Sequence, residues 1–467
     1  MLLRNLESKL LWAGLALVLF TGLYNVGIIA LDDYSNGFAI MVPAQSLPAI
    51  APQDGVHPYL PKLFLRGLTR MALALGMQDP LWQLRFTFAL LGVFSFLAQA
   101  FLVRTLFAEG TRARTFALFL IGFYFLMPLF LSRPMIESLA MPWLSLSAAF
   151  GVRAFRRPPG KADAEWAAAL LFLSVACLFR FQAGVCGAAL ASAVLLRRSA
   201  KECTVFALTA AALFVLTGLP DVFLRGEFHG QLRSYVGYNL TNSGEHYGVM
   251  PFYTFILLLF GLTLPPALFS RYRGLDWKRA YQPLWAPLGY LVIFTLAHSI
   301  SPHKEDRFIV PVLPLLLVCL VPLLDFLWEG HARWRLRWFL ALNGVLLFAV
   351  TLSIPQNNVV SLAGWLTRHS QIQAVDALDG ALAIRPQAFI ARTIEWGSFA
   401  SADYSPRDCS RLVVTRWDVP LPENWLSRFR PVARFHPTGL EALLVHTNPR
   451  NARRGPLEAF QPIACPD

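Results

Sequence analysis

The chain has 467 residues, 56% hydrophobic and only 15% charged, with a formal net charge of +13 and a mean hydropathy of +0.49. A soluble globular chain carries nearer a quarter charged residues, so the composition excludes an ordinary soluble domain and points to a polytopic membrane protein. The positive balance fits basic cytoplasmic loops, and nucleic acid is not an expected partner.

Apolar runs long enough to cross a bilayer predict about eleven transmembrane helices, near residues 10–31, 84–107, 115–131, 138–154, 165–180, 184–197, 203–222, 251–270, 283–300, 308–327 and 337–354. The first run is too long for a signal-peptide core and reads as a retained helix. The basic clusters are Arg112/Arg114, Arg153/Arg156/Arg157/Lys161, Arg197/Arg198/Lys201, Arg271/Arg273/Lys278/Arg279 and Arg333/Arg335/Arg337. With this set of spans they fall on one side together with Arg4 and Lys9, as expected of the cytoplasmic face. The N-terminus is then cytoplasmic and the chain is integral to the cytoplasmic (inner) membrane. Arg far outnumbers Lys, and Ala and Leu are abundant, which hints at a GC-rich bacterial source.

The opposite, extracytoplasmic face receives loops 32–83, 132–137, 223–250 and 301–307. Within the first of these, His57 to Gly76 carries apolar residues at helical spacing, with Lys62, Arg66 and Arg70 on one face, and predicts an amphipathic helix. Residues 1–355 form the transmembrane domain. Residues 356–467 change character and predict a small α/β domain on the outer face. Its expected strands are Gln387–Ile394, Arg411–Val414 and Leu440–Val445, and its expected helical turns are Trp365–Val375 and Glu423–Phe429. The fold class is therefore an all-α polytopic membrane protein with a small C-terminal α/β domain. Six cysteines are too few for a disulfide framework. Cys177, Cys186, Cys203 and Cys319 read as packing residues, and Cys409 and Cys465 are able to pair in an extracytoplasmic tail.

The stretch Ser301-Pro302-His303-Lys304-Glu305-Asp306-Arg307 sets charges of both signs between two apolar segments. Charges at a bilayer centre are costly, so the stretch belongs at a surface or in a wet cavity, either as a turn or as a site. Asp32 and Asp33 end the first span. Adjacent acids there either mark the membrane boundary or provide a general base with a supporting acid. The third outer loop, including Asn239, His246 and Tyr247, is rich in hydrogen-bonding and stacking groups and suits a sugar or an ordinary loop. Arg133 and Glu137 read equally as an ion pair or as functional polar groups, and Arg180 and Gln182 are suspects for the same reason. The nine histidines show no metal-ligand spacing, so no metal or cofactor is expected.

Three places carry a resemblance. His303-Lys304-Glu305-Asp306-Arg307-Phe308, followed by Pro311 and Pro314, resembles the His-Lys-Glu-x-Arg-Phe signature of the membrane mannosyltransferases of GPI anchors and N-glycan precursors. These form glycosyltransferase family 22 of the GT-C superfamily. Asn239 through Tyr247-Gly248, followed by Pro251 and Tyr253, resembles the family's Asn…Tyr-Gly…Pro segment. Asp32-Asp33 falls where the family has Asp-Glu. The family's preceding His-Pro is replaced by Ala30 and Leu31, and His57-Pro58-Tyr59 stands near the place of its Trp-Glu motif. The resemblance implies inverting transfer of a hexose, mannose first, from a polyprenyl-phosphate donor to a glycan or glycolipid acceptor outside the membrane. It implies Asp32 or Asp33 as catalytic base. His303, Lys304, Glu305, Arg307, Arg133, His246, Tyr247 and Asn239 would hold the donor phosphate and sugar. Because both fall at outer helix ends in this topology, Asp32 and His303 are also expected to face each other across an outer cavity. The rival readings are a polymerase or ligase of lipid-linked glycans, and a flippase or transporter, which would place polar groups at the midplane beside broken helices.

Overall fold

The computed structural model describes residues 2–41, 58–241, 244–245, 248–264, 272–330, 332–400, 404–405, 408–448 and 453–464. Six helices among them are long and apolar enough to cross a membrane: Leu3–Tyr24, Pro80–Leu106, Ala200–Arg225, Trp277–Ile300, Asp306–Glu329 and Arg333–Arg368, while Phe181–Leu196 is shorter. The remaining expected spans coincide with helices that are shorter, interrupted or less apolar: Arg112–Phe123, Ile136–Arg156, Asp163–Phe179 and Thr254–Leu262. The chain forms two units, Met1–Thr21, Ala49–Leu63 and Ala89–Leu347 in one, Gly22–Pro48, Phe64–Phe88 and Phe348–Asp467 in the other.

The first unit is helical. Ile136–Arg156 packs on Asp163–Phe179 and on Trp285–Ile300, and Leu313–Glu329 packs on Arg112–Phe123. Within this core the Ser147 hydroxyl donates to Ala169 O (2.7 Å) and lies 2.8 Å from the Tyr290 hydroxyl. Polar groups of this kind tie helices together where lipid supplies no hydrophobic drive. The expected span 115–131 is interrupted at Tyr124, which turns to an extended conformation. Asn343 answers the break: its Oδ1 accepts from Phe125 N (3.0 Å) and its Nδ2 donates to Phe123 O (2.7 Å). Backbone groups freed inside a membrane need such partners. The expected span 308–327 begins as a 3₁₀ turn, Asp306–Val312, and becomes α-helical only at Leu313. Pro311 and Pro314 each lack an N–H, which weakens the regular ladder there.

The second unit contains a mixed sheet of five strands, β1 (Ala374–Leu378), β2 (Glu395–Phe399), β3 (Arg411–Arg416), β4 (Phe429–Phe435) and β5 (Leu457–Pro462), in the order β2-β1-β3-β5-β4. β1 runs parallel to β2 and β3, and β5 runs antiparallel to β3 and β4. Leu378, Tyr404, Val413, Trp425, Phe429 and Phe460 form a core beside it. Buried Asp376 on β1 is neutralised by Arg411 (3.1 Å) and accepts from the Tyr404 hydroxyl (2.8 Å). Cys409 is disulfide-bonded, whereas its expected partner Cys465 lies outside the described residues. Cys177, Cys186, Cys203 and Cys319 are free.

Two expected strands are not strands. Gln387–Phe389 is a 3₁₀ turn after Pro386, and the Gln387 side chain organises the loop, donating to Arg392 O and accepting from Ile394 N and Trp396 Nε1. Leu440–Val445 lies in the helix Gly439–Thr447. Its Leu, Ala and Glu favour helix, and buried Glu441 within it pairs with Arg454. The helical segment expected over 365–375 lies earlier, as Asn357–Arg368, and Ala374 and Val375 already belong to β1.

Candidate active site

Cluster 301–307 follows the helix Trp285–Ile300, whose end is marked by an extended Ser301. Glu305 is its hub. His303 Nε2 lies 3.0 Å from Glu305 Oε1, and Arg307 donates from Nε to Oε2 (2.8 Å) and from Nη2 to Oε1 (3.2 Å). Burial raises the Glu305 pKa, but Arg307 and His303 outweigh it and hold the carboxyl below its ordinary value. Lys304 is buried and donates to Met250 O (3.0 Å) and Ser301 O (2.5 Å). Burial also holds its pKa down. Met250 N in turn donates to Pro302 O (3.0 Å). Met250 is thus latched onto residues 301–304, and Lys304 is a principal part of the latch.

Beside the cluster, Glu137 opens the helix Ile136–Arg156 and is fully buried. Arg180, in the extended link after Asp163–Phe179, donates from Nη1 to Glu137 Oε1 (2.6 Å). Arg307 Nε stands 4.0 Å from the same oxygen. The Arg180 guanidinium lies over the Phe308 ring at 4.7 Å, a cation–π contact. The expected ionic corner at Glu137 therefore draws in Arg180 from a separate connection. Arg133 is also buried. Asn239 donates to Tyr235 O within the helix Gly230–Thr241 (2.8 Å). His246 and Tyr247 lie outside the described residues.

Asp32 and Asp33 belong to the second unit and are described within it. They occupy a short turn, Leu31–Asp33, that leads into the π-helix Tyr34–Phe38. Buried Asp33 accepts from Ala30 N (2.9 Å) and so caps its own turn. Both flanks are pinned. Upstream, Ile28 N donates to Pro355 O (2.9 Å), Gln356 Nε2 donates to Ile28 O (3.2 Å), and Arg454 Nη2 donates to Ile29 O (2.8 Å). Arg454 is itself held by buried Glu441 (3.1 Å), whose other oxygen accepts from Gln356 N (2.6 Å). Downstream, the Tyr34 hydroxyl donates to Arg385 O (2.5 Å) and accepts from Ala388 N (3.1 Å). Burial pushes the Tyr34 phenol up to about 12, despite those backbone bonds.

His298 is a candidate that the sequence motifs do not mark. It is buried in Trp285–Ile300, stacks on Phe294 and lies within electrostatic reach of Arg180. A lone ionisable residue in an apolar run is the signal that points to it. Among the described residues no group of three or more His, Cys, Asp or Glu could hold a metal ion.

The fold is similar to that of ArnT from Cupriavidus metallidurans. The apo structure superposes with a TM-score of 0.60 at 14% identity, and the structure bound to undecaprenyl phosphate with 0.56 at 15%, each over 97% of both chains. The architecture is the GT-C fold of membrane glycosyltransferases. The chain belongs to the Alg9-like mannosyltransferase family, whose model matches residues 51–376. It is 28% identical over 217 residues to GPI mannosyltransferase 3 of Yarrowia lipolytica, covering 45% of this chain and 41% of that protein. It is 29% identical over 178 residues to alpha-1,2-mannosyltransferase ALG9 of Mus musculus, covering 32% of this chain and 29% of that protein. The matches thus span less than half the length of these two relatives.

Proposed function

We propose that the protein transfers a hexose, mannose in the first instance, from a polyprenyl-phosphate donor to a glycan or glycolipid acceptor on the outer face of the cytoplasmic membrane. The observation that carries this reading is the hydrogen-bonded ionic cluster His303–Glu305–Arg307 at the end of an apolar helix, in a chain of the Alg9-like family. A cationic group beside apolar walls suits a lipid phosphate.

In this reading the acceptor hydroxyl oxygen attacks the anomeric carbon and its proton passes to the Asp32 carboxylate. The bond from the anomeric carbon to the phosphate oxygen breaks, and the lipid phosphate leaves as its anion. Such a leaving group needs no protein acid, only fixed positive charge, which Arg307 supplies. Asp33 caps its own turn, which favours Asp32 as the base. ArnT, solved with undecaprenyl phosphate, offers a precedent for a lipid phosphate on this fold. The one-sided basic clusters support an outer site, which a cytoplasmic nucleotide-sugar would not reach.

The test is to incubate purified protein with radiolabelled polyprenyl-phosphate-mannose, polyprenyl-phosphate-glucose or GDP-mannose, plus lipid extract of the source cells. Product from polyprenyl-phosphate-mannose is expected. Product from GDP-mannose without a polyprenyl intermediate overturns the donor, and product from polyprenyl-phosphate-glucose alone replaces the sugar.

A further inference from the structure

Several buried polar atoms around Arg180 have no hydrogen-bond partner among the described residues: Arg180 Nε and Nη2, Glu137 Oε2, Gln182 Oε1 and His298 Nε2. Leaving such atoms unpaired costs about 1–3 kcal/mol each, so a cluster of them in one region calls for an occupant. They are mutually near. Arg180 binds Glu137 directly and lies within electrostatic reach of His298. Tyr235 hydrogen-bonds Gln182 and lies within reach of both Arg180 and Glu137. Arg180, Glu137 and His298 are each more than nine-tenths buried, so this is no solvated surface.

The chemistry of the atoms selects the occupant. His298 Nδ1 faces Phe294 O at 2.8 Å. It therefore carries the ring proton, and Nε2 presents a lone pair. Glu137 Oε2 and Gln182 Oε1 are acceptors as well. Among these atoms a phosphate would meet three acceptors, and the two cations beside them, Arg180 and Arg307, both stand against the Glu137 carboxylate. A polyol fits: its hydroxyls donate to the three acceptors, and a hydroxyl or ring oxygen accepts from Arg180. The Phe308 ring under Arg180 adds an apolar wall of the kind a sugar face uses.

We propose that Glu137, Arg180, Gln182 and His298 form a hydroxyl-reading subsite that holds the hexose of the donor. This rests on the polyprenyl-phosphate-hexose reading above and assigns its sugar end, leaving the phosphate to the 303–307 cluster. The subsite makes the protein prefer a sugar-loaded lipid over the bare lipid phosphate.

The experiment compares isotherms of polyprenyl-phosphate-mannose and bare polyprenyl phosphate with the full chain in detergent, for wild type, His298→Phe and Gln182→Leu. Wild type is expected to bind the sugar-loaded lipid more tightly. Each variant should lose about tenfold toward that lipid, the worth of one buried hydrogen bond to a strong partner. Its affinity for bare lipid should stay unchanged, which also reports correct folding. Equal losses toward both lipids, or no loss toward either, overturn the subsite. So does a wild type that binds both lipids equally, which leaves a lipid-phosphate site standing. A wild type that binds neither lipid overturns the donor reading together with the subsite.

Discussion

Gly27→Ala tests whether the acid turn depends on its upstream clamp. A Cβ at Gly27 would meet Pro355 N at 2.6 Å and the Pro355 carbonyl oxygen closer still. Both are backbone atoms, so the two segments must separate by about an ångström to restore ordinary contact. That separation breaks Ile28 N to Pro355 O and strains the Arg454 bond to Ile29 O. One neutral hydrogen bond and one to a charged group together are worth roughly 2–4 kcal/mol. Asp32 lies just downstream of the clamp, and a displacement of about 1 Å at a reacting group costs on the order of a hundredfold in rate. The expected result is a kcat reduced about a hundredfold with donor-lipid affinity retained, measured by radiolabel transfer and by isotherm. A variant with wild-type kcat and unfolding temperature would refute the clamp.

Asp32→Asn should abolish transfer and leave donor-lipid binding largely intact, because a base acts on the acceptor in the transition state; Asp33→Asn should do less, and the reverse pattern exchanges their roles. Asn343→Leu strands Phe125 N and Phe123 O and should destabilise the bundle by about 2–4 kcal/mol, read as a lowered unfolding temperature in detergent. Glu305 has a depressed folded pKa, so its contribution is present above its unfolded value of about 4.3 and is lost as pH falls through the folded value. Unfolding temperature against pH should therefore drop on the acid side less steeply in Glu305→Gln than in wild type, and identical profiles would remove Glu305 from the linkage.

Much of the fold is legible because membrane insertion leaves a strong mark on sequence. Apolar length marks candidate spans whatever the neighbours are, and six of the eleven expected ones are long, apolar helices among the described residues. The helix Tyr59–Ala74 follows the expected amphipathic spacing. The interruption at Tyr124 has a local signal, Pro128, which lacks the N–H that would bond the Tyr124 carbonyl four residues back, but what answers it is not local. Its freed groups are met by Asn343, more than 200 residues away. In the tail, Leu440–Val445 is ambiguous because a short apolar run fits strand and helix alike. The partners of Glu441, Gln356 and Arg454, accompany the helical outcome.

Hydropathy and short motifs are local properties, so the chain's class, its apolar segments and its ionic signature can be read residue by residue. Which charges meet is decided only by the tertiary structure. It gives Lys304 to the carbonyls of Met250 and Ser301, pairs Glu137 with Arg180, and places His298 within reach of Arg180. An ion pair or hydrogen bond is set by distances of about 3 Å between atoms far apart along the chain. Those distances come from how the helices pack, which no single segment encodes.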